Sequence, residues 1–521
     1  MRTTWDRRLL TGAAILALIG CSMLPLVHLI TSAVARADLL GATLFETRHW
    51  RLLLNTCVLG GGTAMLATAI GAPLGLALAR VSLPYKPLLR VALAAPIVLP
   101  PYVVALAWTY LTGSTGLLAS IVSVDLSGWT YTLPAALLVL GLLLYPLPML
   151  AAEVAVRGVD GRLEEAGLLV APHHRVLLRI TLPLVAPAVA GAALLVFVLA
   201  ISEFAVPGLL RVPVYTTEVF TAFASFYDFE RAVLTAVPLL LLSGVVAASA
   251  AVLTGERLMA TRRGGVAPAP TLDRWRRSAS AAALLVVGLA VIVPGIVMLR
   301  EATAARNVSA IVAGSGGATV NSLALSAIAA TAALSTAVWL GYARARASRR
   351  IGRSADVVFV VLFAVPSTIL GVGLIGLWNR PGVWGSMYGS DAMLVLGYLA
   401  RFLPVAALLL AAAVRRIPVS HEEAAAVSGA GWLRTMGGVV LPQLREGLMV
   451  TWLLVFVLAF GELGVSLLIA PPGEATLPIR VYTLIANTPA PHVAALALFQ
   501  TVVILLPIAA AATVVAVAHR R

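Results

Sequence analysis

Charge is scarce in this chain. Only 11% of its 521 residues are Asp, Glu, Lys or Arg, while 60% are Ala, Val, Ile, Leu, Met, Phe, Trp, Tyr or Cys. A soluble domain carries about a quarter charged residues, so this balance excludes one and leaves an integral membrane protein. Lysine is nearly absent: Lys86 is the only one, in Tyr85-Lys86-Pro87 rather than at the end of a Gly-rich loop. A phosphate-gripping loop needs a Gly-x-Lys-Ser/Thr ending, whose backbone amides and ammonium hold the phosphates. No ATP-hydrolysing site of that type is present. Cysteine is limited to Cys21 and Cys57, both inside apolar runs, and the seven histidines have no paired spacing with Cys, Asp or Glu. Disulfide scaffolds and zinc enzymes are excluded, and no metal site or bound cofactor is expected.

What is present is long apolar sequence. A bilayer core of about 30 Å takes roughly 20 apolar helical residues, and twelve such runs occur. In the first half they lie near Leu9–Ile30, Leu53–Ala79, Val91–Leu111, Trp129–Ala151, Leu184–Ser202 and Ala232–Leu253. In the second they lie near Ala281–Leu299, Val320–Gly341, Val357–Leu377, Met393–Ala413, Gly447–Ile469 and Val493–Val517. With the N-terminus in the cytoplasm, 27 Lys and Arg fall inside, 9 outside, and Arg401 within a span. The acids split as 10 inside, 9 outside and 3 within spans, namely Glu153, Glu203 and Glu462. The net charge of +15 therefore reports orientation, with both termini cytoplasmic, rather than a nucleic-acid partner. Leu18-Ile19-Gly20-Cys21 after Arg7-Arg8 has the look of a lipoprotein cleavage box, but apolar sequence runs on to Ile30 and favours a span.

The chain is internally duplicated. Leu194 to Ala200 recurs identically as Leu453 to Ala459, an offset of 259 that also pairs Leu182-Pro183 with Leu441-Pro442, Glu203 with Glu462 and Glu164 with Glu423. Upstream, Gly141 and Pro148 match Gly397 and Pro404 at 256, and Pro96 and Trp108 match Pro366 and Trp378 at 270. Residues 1–254 and 280–521 thus read as two six-span halves, with 255–279 as a cytoplasmic linker rich in Arg, Pro and Gly. Both halves start in the cytoplasm, so they are parallel repeats related by an axis along the membrane normal. The expected fold is all-α, with about twelve transmembrane helices and a pathway between the halves, which makes a transporter the leading class.

The most informative sequence lies between the fourth and fifth spans of each half. Ser420-His421-Glu422-Glu423-Ala424-Ala425-Ala426-Val427-Ser428-Gly429-Ala430 is followed by a polar and basic stretch and then Leu441-Pro442. Ser420 and Glu423 have capping-box spacing, and the alanine run favours helix. Gly429 permits the left-handed turn that ends it. The expectation is two short helices and a turn at the membrane surface. These residues resemble the cytoplasmic EAA signature of ATP-binding-cassette importer permeases: E-A-A, three residues, G, nine residues, a hydrophobic residue, one more, then L-P. Glu423-Ala424-Ala425, Gly429, Val439 and Leu441-Pro442 fit that spacing. The first-half copy, Glu164-Glu165-Ala166-Gly167 through Leu182-Pro183, is degraded. Ungapped, Glu164 pairs with Glu423 and Val170 takes the Gly position; with a one-residue gap, Glu165 and Ala171 fill those roles.

Fused two-half permeases of that family resemble the ferric-iron type, with thiamine, phosphonate and polyamine importers as alternatives. The resemblance covers most of the chain in topology and about two fifths of it in specific motifs. It implies the importer permease fold in the bacterial plasma membrane, bathed in lipid. The implied partners are two cytoplasmic ATPase subunits, which use the ATP, and an extracytoplasmic substrate-binding protein. It also implies coupling helices at Glu164 to Pro172 and Glu422 to Ala430. An ion-coupled secondary transporter of twelve spans is the rival, and it needs no ATPase.

Intramembrane charge is costly and needs a reason. Glu203 and Glu462 occupy matching places after the repeated heptapeptide. Two readings stand level: they line a gate or a cation path on the axis, or each sits near the outer interface or bonds a neighbouring helix. Arg401 is a candidate counter-charge for Glu462, and Glu153 is placed to snorkel from the inner end. Asn55 and Asn321 begin the second span of each half and read as helix caps or as an Asn-Thr/Ser start similar to that of these permeases. Pro96, Pro100, Pro101 and Pro366 read as kinks in the third span of each half, or as gate elements.

Overall fold

The computed structural model describes residues 2–44, 46–123, 125–257, 272–473 and 476–518. These residues are helical with no strand among them. Among the described residues ten helices are long and apolar enough to cross a membrane, and two bent helix pairs bring the number of crossings up to twelve if each is one span. Each overlaps one of the twelve apolar runs, so the all-α membrane fold follows directly from composition and run length. Most of the 255–279 linker, residues 258–271, lies outside the described residues.

The third span of each half is broken rather than kinked. In the second half Arg349–Ala364 meets Ser367–Trp378 at 91°. Proline crowds the backbone of the residue before it out of the helical region, and Val365 accordingly lies extended at ψ 125° ahead of Pro366. In the first half the helix Lys86–Ala94 gives way to a tight turn at Ala95–Val98, and a new helix starts at Pro101. Leu99 and Pro100 are extended between them, at ψ 134° and 132°.

Two compact units emerge, and they are cut differently from the sequence repeats. One comprises residues 1–45, 218–244 and 306–521, the other residues 46–217 and 245–305. The first unit therefore takes its first span from the other half. There Ser22 Oγ donates to Ala400 O at 2.8 Å, and the backbone of Pro25 lies so close to Gly373 that a Cβ would come within 2.7 Å of its carbonyl oxygen. In the second unit the seventh span, Asp273–Thr303, is pinned to the end of the second. Ser82 donates to Asp273 Oδ1 from its amide at 2.9 Å and its hydroxyl at 2.7 Å, and Leu272 N donates to Arg80 O at 2.9 Å.

Within each unit the second and fourth spans of one half form the tightest contact. Gly71 and Gly75 press against the backbone of Tyr145 and Met149, where a Cβ would collide with their carbonyl oxygens. Gly341 presses on Ala411 in the same way, its Cβ position 2.9 Å from Ala411 N. Lipid provides no hydrophobic drive between helices, so close backbone approach through small residues supplies the packing energy.

Candidate functional site

The two loops between fourth and fifth spans fold alike. The first carries a helix at Gly161–Leu168 and a short one at His173–Val176; the second carries Val419–Val427 and Trp432–Thr435. Both leading helices start three residues before the expected positions. Asp160 precedes the first, its carboxylate accepting from Arg162 N at 3.1 Å, and Pro418 precedes the second in an extended conformation. The capping box expected at Ser420 and Glu423 is therefore not formed. The tenth-span helix ends at Val414, and after a turn a new helix begins at Val419 with Pro418 at its N-cap, which puts Ser420 inside the first turn rather than at the capping position. Gly429 does close the helix, at φ +79°, with Ala430 N donating back to Ala425 O at 3.0 Å. The first loop closes without a left-handed residue, through Ala171 N to Gly167 O at 2.9 Å, which is why it tolerates Val170 and Ala171 where the second has glycine.

The helix frames align at an offset of 258, so Glu164 corresponds to Glu422 and Glu165 to Glu423. The paired acids then behave in two distinct ways. Glu164 is buried; its Oε2 lies 3.0 Å from Arg80 Nη2, and its Oε1 accepts from Thr181 Oγ1 at 2.6 Å. Glu422 is held by Arg346, with Nη2 at 2.5 Å and Nε at 2.8 Å from Oε1, and its Oε2 accepts from Tyr342 OH at 2.7 Å. Glu165 and Glu423 are exposed, and among the described residues neither side chain has an ion pair or hydrogen bond. Ala166 and Ala424 are exposed beside them, while Ala425 is half-buried. Apolar side chains flank these surfaces: Leu169 and Val170 in the first loop and Val427 in the second are almost fully exposed. A loop surface that leaves an acid and bulky apolar groups unsatisfied is chemically suited to a protein partner.

Deeper in the spans the acids are all engaged. Glu153 does not snorkel: it is fully buried, and the arginines come to it, Arg157 Nη2 at 2.5 Å and Arg90 Nε at 3.0 Å. Nearby Lys86 donates to Val81 O at 3.2 Å. In the second half Asp356, on the ninth span, is gripped by Arg344 through two bonds and approached by Arg415 at 3.8 Å. This cluster has no sequence signature, since the three residues come from the eighth, ninth and tenth spans.

Glu203 and Glu462 each follow the fifth span of their half and cap the short helix beyond it. Glu203 Oε1 accepts from Ala205 N at 2.8 Å, and Glu462 Oε1 accepts from Val465 N at 3.1 Å. Glu462 also carries the counter-charge expected of it: Arg401 Nε lies 3.0 Å from its Oε2, as an ion pair whose N–H is not aligned for a hydrogen bond. Asn55 donates to Pro213 O at 2.9 Å and so ties the second span to the loop beyond the fifth, a tertiary role rather than a cap.

The chain is similar in sequence to known transport proteins. The family described as "Binding-protein-dependent transport system inner membrane component" matches residues 333–521. A putative ABC transporter permease protein, ORF1, of Streptomyces antibioticus is 36% identical over 163 residues, 31% of this chain and 69% of that protein. The putative ferric transport system permease protein FbpB 1 of Haemophilus influenzae is 24% identical over 427 residues, 77% of this chain and 67% of that protein. A putative 2-aminoethylphosphonate transport system permease protein, PhnV, of Salmonella typhimurium is 28% identical over 167 residues, 31% of this chain and 61% of that protein.

Proposed function

This chain belongs to the inner-membrane components of binding-protein-dependent transport systems, and we propose that within that family it is the fused, two-half permease of a ferric-iron importer. It is a multi-pass transport subunit and not an enzyme. ATPase and substrate-binding protein are partners of that family; two ATPase subunits for this chain, one per loop, is part of the proposal. The arginine distribution supports a topology with both termini in the cytoplasm.

The observation that carries the reading is the duplicated loop, each copy with one acid anchored to its own chain and one exposed beside apolar side chains. Glu165 and Glu423 are free to accept charge-assisted hydrogen bonds from cationic groups on an ATPase, and Leu169, Val170 and Val427 fill an apolar cleft there. Closure of the ATPases on ATP moves the two loops, and the spans attached to them exchange inward-open and outward-open states. A ligand-driven shift of this kind is limited by the difference in partner affinity between the states, so the docking contacts set how much ATP energy reaches the spans.

Iron is favoured because the similarity to a ferric permease runs through both halves, whereas the similarity to the phosphonate permease covers under a third of the chain. The experiment is uptake into vesicles containing this chain, its ATPase and its binding protein, with ferric iron and 2-aminoethylphosphonate offered separately. ATP-dependent accumulation of iron alone supports the proposal. Accumulation of the phosphonate alone replaces the substrate, and uptake without ATPase replaces the transporter class.

A further inference from the structure

The exposed acids account for docking, but a docked helix moves the spans only if something ties it to them. The described residues hold one such tie in each half, built the same way. Arg80 is the last residue of the helix Thr47–Arg80, and Arg346 the last of Gly316–Arg346, so both terminate the second span of their half. Each guanidinium takes the anchored loop acid, Glu164 at 3.0 Å and Glu422 at 2.5 Å. Each also donates to a carbonyl at or just beyond the inner end of the fourth span: Arg80 Nη2 to Val156 O and Arg346 Nη2 to Ile417 O, both at 3.1 Å. The second oxygen of each carboxylate is taken by a hydroxyl, from Thr181 in one half and from Tyr342 in the other. The paired side chains are nearly buried, Arg80 and Glu164 being 10% and 6% exposed.

We infer that Arg80 and Arg346 are positioning residues that strap each coupling helix to the inner ends of the second and fourth spans, so that displacement of the loop is delivered to both spans together. The inference rests on the reading of these loops as ATPase-docking elements. A planar guanidinium suits the task because its rigid fork can hold a carboxylate and a carbonyl at once, which an ammonium on a flexible stem does less well. Shielding from solvent keeps the pair from being screened as a surface ion pair is. The construction is the same in two halves whose surroundings have diverged: the hydroxyl donor comes from a different element, and Val170 stands opposite Ser428 in the aligned helix frames. Coincidental surface pairing would not be expected to survive that divergence with its carbonyl contact intact.

The test is the double variant Arg80→Gln with Arg346→Gln in reconstituted vesicles, reading ATPase co-purification, ATP hydrolysis and substrate transported per ATP. The expected result is that the ATPase still binds and hydrolyses ATP, while transport per ATP falls roughly tenfold. Transport per ATP equal to that of the unaltered chain overturns the inference. So does loss of ATPase binding by a folded permease, since the arginines would then belong to the docking surface. Where the double variant fails to fold, Arg346→Lys and the exchange of Arg346→Glu with Glu422→Arg decide: transport per ATP reduced in the first and partly restored in the second relative to Glu422→Arg alone is expected, and unchanged values overturn it. Glu165→Ala with Glu423→Ala is run alongside. If that variant keeps full ATPase binding and uptake, the docking reading fails irrespective of the arginines.

Discussion

Arg401 reaches Glu462 at 3.0 Å, joining the tenth span to the turn that follows the eleventh. Its Nη1 also donates to Val365 O at 3.4 Å, the carbonyl next to the proline break of the ninth span. At the matching position of the first half stands Tyr145, whose hydroxyl donates to Leu93 O at 2.7 Å beside the break in the third span. In both halves a fourth-span side chain thus satisfies backbone freed by the broken helix. Only the second half does this with a charge, the Arg401 guanidinium standing where the first half has the Tyr145 hydroxyl.

That asymmetry predicts unequal sensitivity. Arg401→Gln strands the Glu462 carboxylate in a nearly buried place, and removing one partner of such a pair costs about 3 kcal/mol or more. A clear drop in thermal unfolding temperature in detergent is expected. The double variant Arg401→Leu with Glu462→Leu should recover much of the loss, because it leaves no charge unpaired.

Glu203→Gln keeps an oxygen acceptor for Ala205 N and is expected to cost less stability than Glu203→Ala. Glu203→Ala removes the cap at a cost of about 1 kcal/mol. Glu462→Gln, by contrast, leaves Arg401 without its counter-charge and should lower both uptake and stability. Equal effects of the two Gln variants would show that the acids act alike, as path residues rather than as caps.

For the docking surfaces, Glu165→Ala and Glu423→Ala should each reduce recovery of the ATPase in a pull-down with little change in unfolding temperature, since neither side chain has an internal partner. Glu164→Ala and Glu422→Ala should instead destabilise, leaving Arg80 and Arg346 uncompensated. The measurement pairs a thermal unfolding curve with the pull-down for each variant.

The close contact between second and fourth spans makes Gly75→Leu and Gly341→Leu disruptive. A side chain at either position meets backbone, which cannot rotate away, and overpacking of this kind costs about 1–3 kcal/mol. Lower yield of folded protein by size-exclusion chromatography is expected for both. Gly61→Leu, where a Cβ meets nothing within 4 Å, should be tolerated.

Much of this protein is legible residue by residue. Run length gives the spans because it depends only on local composition and on the bilayer. The duplication and the paired loops are legible because identical heptapeptides and Leu-Pro pairs survive in linear order. What the sequence leaves open is rotation and pairing. Glu164 and Glu165 are chemically alike, but adjacent residues on a helix point about 100° apart, so the residue at which the helix begins decides which one faces Arg80. Asp160 and Pro418 set that start, and only the folded loop shows it. Tertiary structure likewise decided that Pro366 turns the chain through 91° rather than bending it, and that Glu153 stays buried with arginines drawn to it. It also decided that the first span joins the compact unit of the other half. Those outcomes depend on which surfaces meet across hundreds of residues of chain, a long-range competition for close packing and charge compensation that no local pattern encodes.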